Sequence, residues 1–66
     1  MRVEILIREI RKSKKITITE LTKLTKLSKG HLSKIERGET RPTIDTLVMI
    51  ALALKVRVEE LYKIHY

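Results

Sequence analysis

Apolar residues recur along this chain mostly at helical spacing. Val3, Leu6, Ile7 and Ile10 share one face of a helix expected over residues 2 to 13. Lys14 and Lys15 make a polar connection. Thr17 then caps a second helix, and Glu20, three residues on, completes a capping box. That helix is expected to bury Leu21 and Leu24 and to end near Thr25. Ser28 caps a third helix running to about Arg37, with Leu32 and Ile35 inside. Gly38 stands where a left-handed C-terminal cap is wanted, and Glu39 to Pro42 form a loop. Thr43 caps a fourth helix built on Leu47, Ile50, Ala51 and Leu54. Val56 and Val58 lead into a short fifth helix, about residues 58 to 64, with Leu61 on its inner face. No stretch combines strand alternation with hairpin turn signals. The expectation is an all-α, five-helix, single domain over residues 1–66.

The segment Ile16–Gly38, ITITELTKLTKLSKGHLSKIERG, carries most of the functional information. It holds two short helices, each opened by a hydroxyl residue and joined by a tight turn with one apolar residue, Leu27. That is the pattern of a helix-turn-helix. The outward face of its second helix presents Lys29, Gly30, Ser33, Lys34 and Arg37, and a helix of this kind can enter a DNA major groove.

Charge placement points the same way. Between Arg11 and Arg41 stand ten basic residues against Glu20, Glu36 and Glu39, so the whole net charge of +7 sits there. Arg2, Arg8, Lys55, Arg57 and Lys63 are balanced elsewhere by Glu4, Glu9, Asp45, Glu59 and Glu60. A polyanion partner, double-stranded DNA, is expected.

At 66 residues the chain buries only about 60% of its unfolded surface, so dimerisation would help it. Without cysteine it has neither disulfides nor thiolate metal ligands. His31 and His65 are far apart, Asp45 is the only Asp, and no metal-ligand spacing or phosphate loop occurs. Neither catalysis nor a cofactor is expected. No apolar run approaches the roughly 18 residues of a membrane span and no signal peptide is visible, so a cytoplasmic protein is expected.

The stretch LSKIERGETRPTIDTL, Leu32 to Leu47, resembles the Cro and C1 repressor type of helix-turn-helix, also called the XRE family. The resemblance covers roughly Val3 to Tyr62. It implies a compact five-helix, lambda-repressor-like domain that binds operator DNA as a dimer and regulates transcription. It also implies base-facing positions at Lys29, Gly30 and Lys34. Thr17, Arg37, Arg41 and the amides at Thr43 fall near phosphates, and Arg11 with Glu36 matches an internal ion bridge. This chain departs from the family in having Ile18 for a Gln, Lys26 and Lys55 for glycines, and Arg57 for a hydroxyl cap.

Lys29 and Lys34 suit the O6 and N7 acceptors of guanine. Ser33 can donate to a base or phosphate, His31 and Ser28 lie within reach of phosphates, and Gly30 permits close approach. Tyr62, Ile64 and Tyr66 form a C-terminal apolar group suited to a homodimer interface, since one copy holds only one half-site. These features describe a repressor on a palindromic operator. The rival is an antitoxin-like module whose main ligand is a partner protein, met through Ile5, Ile18 or the C-terminal apolar group.

Overall fold

A computed structural model describes all 66 residues. The chain opens with strand β1, Arg2–Ile5, and continues through α1, Ile7–Ser13, α2, Ile18–Thr25, α3, Lys29–Glu36, and α4, Ile44–Leu54. A single 3-10 turn, Val58–Leu61, leads into strand β2, Tyr62–His65. β1 and β2 pair antiparallel, with Val3 opposite Ile64 and Ile5 opposite Tyr62.

The helical reading therefore holds for the centre and fails at both ends. Residues 2 to 5 are a strand, and the expected fifth helix is one 3-10 turn followed by a strand. Arg2-Val3-Glu4-Ile5 and Tyr62-Lys63-Ile64-His65 each alternate polar and apolar. Alternation puts Val3, Ile5, Tyr62 and Ile64 on one face of the small sheet and the charged residues on the other. On the polar face His65 Nε2 lies 2.7 Å from Glu4 Oε1, and this hydrogen bond holds the Glu4 carboxyl below its ordinary range.

Nine residues form the core: Ile7 from α1, Leu21 from α2, Leu32 and Ile35 from α3, Leu47, Ile50, Ala51 and Leu54 from α4, and Leu61 from the 3-10 turn. Each fully buried Leu or Ile contributes about 1.5–3 kcal/mol. Two apolar residues sit otherwise than expected. Leu24 is 58% exposed, because it lies off the α2 stripe that Leu21 and the buried Thr25 define. Ile18 is half-buried and packs on the core, where the sequence suggested an exposed side chain.

Helix ends consume the backbone strain. Lys15, Lys26, Lys55 and Gly38 all adopt left-handed φ, at 57°, 62°, 58° and 76°. After α1, α3 and α4 the same closure appears. Ile16 N donates to the Arg11 carbonyl, Glu39 N to that of Lys34, and Val56 N to that of Ala51. Only Gly38 reaches this conformation without a side-chain penalty. Lys55→Gly should therefore stabilise the domain by about 1 kcal/mol, after subtracting the glycine's extra unfolded-state entropy. Melting should rise by about 4–8 °C. A lower melting temperature would mean that the Lys55 side chain contributes more than its backbone costs.

Candidate nucleic-acid interface

The turn between α2 and α3 is fixed by hydroxyl and backbone bonds. Thr17 Oγ1 accepts from Glu20 N at 3.1 Å while Glu20 Oε1 accepts from Thr17 N at 3.0 Å. The latter bond keeps the Glu20 carboxyl below its usual range. Lys26 N donates to the Thr22 carbonyl as the chain turns left-handed. Thr25 is buried; its Oγ1 donates to the Leu21 carbonyl at 2.8 Å and accepts from Leu27 N at 3.3 Å. Leu27 packs against the core, and Ser28 Oγ accepts from His31 N at 3.1 Å to start α3. The orientation of α3 is thus set at both sides of the turn.

With Leu32 and Ile35 buried, the opposite face of α3 presents Gly30, Ser33, Lys34 and Arg37. Lys29 and His31 lie exposed on its two flanks. A Cβ built on Gly30 would meet nothing within 4 Å, so packing within the protein makes no demand for glycine there. A shallow cleft joins Ser28, Gly30, His31 and Lys34 to Glu39 and Thr40 of the following loop. No lysine in the chain has a carboxylate within 4 Å.

Arg11 and Glu36 form the ion bridge expected between α1 and α3. Arg11 Nε and Nη2 donate to the Glu36 carboxylate at 2.9 and 3.2 Å, and Nη1 donates to the Ile16 carbonyl at 2.9 Å. The two side chains are only 11% and 6% exposed. This group ties α1, α3 and the start of the helix-turn-helix into one body.

The positions assigned to phosphate are less uniform. Thr43 Oγ1 accepts from Thr46 N at 3.1 Å and caps α4. The Arg41 guanidinium donates to the Val3 carbonyl at 3.3 Å, so it also fastens the loop to β1. Arg37 is paired with Glu39, which raises the Arg37 pKa and lowers that of Glu39. An anion at Arg37 must therefore displace Glu39. Sequence reasoning gave Glu39 no role, although a carboxylate two residues from Arg37 was visible. Tyr62, Ile64 and Tyr66 belong to β2 and its end: Tyr62 is half-buried, Ile64 is 39% exposed and Tyr66 is fully exposed.

Residues 7–61 match the helix-turn-helix family HTH_3, the XRE type. The chain belongs to this family. Among solved structures it is similar to the clp gene regulator ClgR from C. glutamicum. The two share 31% identity at a TM-score of 0.79, over 82% of this chain and 70% of that one. No curated protein sequence matches significantly. Family and neighbour together go with a DNA-binding transcriptional regulator rather than with catalysis. No helix is long and apolar enough to cross a membrane. The XRE match begins at Ile7 and ends at Leu61, so the two strands lie outside it.

Proposed function

We propose that this XRE-type protein is a sequence-specific transcriptional repressor that acts in the cytoplasm and binds a palindromic operator as a homodimer. The observation that carries the reading is the exposed face of α3, where Gly30, Ser33, Lys34 and Arg37 stand together on a helix fixed by the bonds of the turn before it. In this reading α3 enters the major groove. Lys29 and Lys34 meet base edges, Ser33 donates to a base or phosphate, and Gly30 lets the helix approach. Thr17, Ser28, His31, Arg37, Arg41 and Thr43 meet the flanking phosphates, which supply position and much of the affinity. Tyr62, Ile64 and Tyr66 join the two copies.

Adenine is read best by the bidentate amide of Asn or Gln, and the chain contains neither. The specified pairs are therefore G·C, and any A·T preference comes from DNA shape. The test is selection of bound sites from random duplexes, with wild type and Lys34→Ala. Wild type should recover a palindrome with guanines in each half-site. Lys34→Ala should relax one of them by about 1–3 kcal/mol. Uniform weakening across all sequences would make Lys34 a phosphate contact instead.

A second reading, the antitoxin-like module, is favoured by one surface. Ile44, Val48 and Leu52 form an exposed apolar line along α4, and Leu52 is 74% exposed. That line replaces Ile5 and Ile18 as the candidate protein contact, since both of those pack on the core.

A further inference from the structure

By sequence, Arg8 belongs to the part of the chain whose charges cancel, outside the Arg11–Arg41 stretch that carries the net charge. In the folded protein Arg8 stands against α3. A cleft of about 200 Å³ between the two helices is lined by Arg8, Arg11, Ser33, Glu36 and Arg37. Three guanidinium groups share it with one carboxylate, and that carboxylate is already bonded to Arg11. Arg37 is held by Glu39. Arg8 has no carboxylate within 4 Å and no side-chain hydrogen bond.

Ser33 supplies the second observation. The hydroxyls of Ser13, Thr22 and Thr25 each donate to a carbonyl one turn back in their own helices. The Ser33 hydroxyl makes no such bond, and Ser33 lines the cleft. A guanidinium without a carboxylate partner and a hydroxyl without an internal bond therefore belong to residues that line one cleft beside α3. Arginine matches phosphate geometry with a planar pair of donors, and a hydroxyl adds a third.

We propose that Arg8 and Ser33 hold a backbone phosphate of the DNA duplex in this cleft, making α1 a second anchor beside α3. The inference rests on the DNA-binding reading above. A phosphate contact positions the protein without reading sequence, so its loss should weaken every site alike. Arg37 can join the site by exchanging Glu39 for the phosphate.

The test compares wild type, Arg8→Gln and Arg57→Gln on a duplex recovered by selection and on its single-base-pair variants, from 50 to 200 mM salt. Arg57 is exposed and outside the cleft. Arg8→Gln should flatten the slope of log affinity against log salt by about 0.9 per bound chain. Over this range that removes about 3.5-fold of the salt effect for each chain. Arg57→Gln should keep the wild-type slope, and all three proteins should melt together. An unchanged slope in Arg8→Gln overturns the proposal and leaves the DNA-binding reading intact. A changed preference at one base pair also overturns it, since Arg8 would then read sequence. Wild type that binds no duplex removes both readings.

Discussion

Affinity for a specific duplex is expected to fall about 10³–10⁵-fold between 50 and 200 mM salt. Each phosphate neutralised by Lys or Arg releases condensed counterions, and roughly 6–10 such contacts in the proposed dimer give a fall of that size. The structure leaves the charge available for this purpose. Of the fifteen Lys and Arg residues, only Arg11, Arg37 and Arg57 have a carboxylate within 4 Å. Lys12, Lys14, Lys15, Lys23, Lys26, Lys29 and Lys34 are all exposed. The twelve other than Arg11, Arg37 and Arg57 have no carboxylate that close and are free to meet phosphate. Titration of a labelled duplex at several salt concentrations measures the slope. A slope worth one or two ions would reject the electrostatic account and direct attention to a protein partner.

What the sequence made legible was local chemistry. Thr17, Ser28 and Thr43 cap their helices as expected, because a cap depends only on residues two or three positions away. Gly38 closes α3 with the expected left-handed φ for the same reason. The left-handed backbone at Lys26, implied by comparison with the family's glycine, is present as well. The two strands were not legible as a pair. Their alternation is only four residues long, and β1 meets β2 from opposite ends of the chain with no hairpin turn to announce it. Periodicity instead assigned Val3 to the α1 pattern. Leu24 misled for a related reason: i, i+3 spacing from Leu21 fits a helical stripe, but only the packed neighbours decide how wide that stripe is. The candidate interface was legible on α3, a single contiguous helix. The place of Arg8 beside Ser33 depends on how α1 crosses α3, and no local pattern encodes that crossing.

The bridge between α1 and α3 gives the second large expectation. Glu36→Ala should destabilise the domain by about 3–5 kcal/mol, because it leaves the buried Arg11 charge without a counter-charge. The bond from Arg11 to the Ile16 carbonyl remains, but a neutral acceptor does not balance a guanidinium. For a chain of this length such a loss takes a large share of the total stability, so melting should fall by more than about 10 °C. Lys34→Ala, by contrast, removes an exposed side chain with no partner in the protein and should melt with wild type while binding DNA more weakly. Thermal unfolding separates the two variants. If Glu36→Ala melts with wild type and Lys34→Ala does not, structural and contact residues have been exchanged. The double variant Arg11→Met, Glu36→Leu identifies the cause. Replacing both charges with apolar groups of similar volume is often neutral or stabilising, so it should recover most of the loss. Failure of that recovery would mean that the Arg11 hydrogen bonds themselves, including the one to the Ile16 carbonyl between α1 and α2, carry the stability rather than the balance of buried charge.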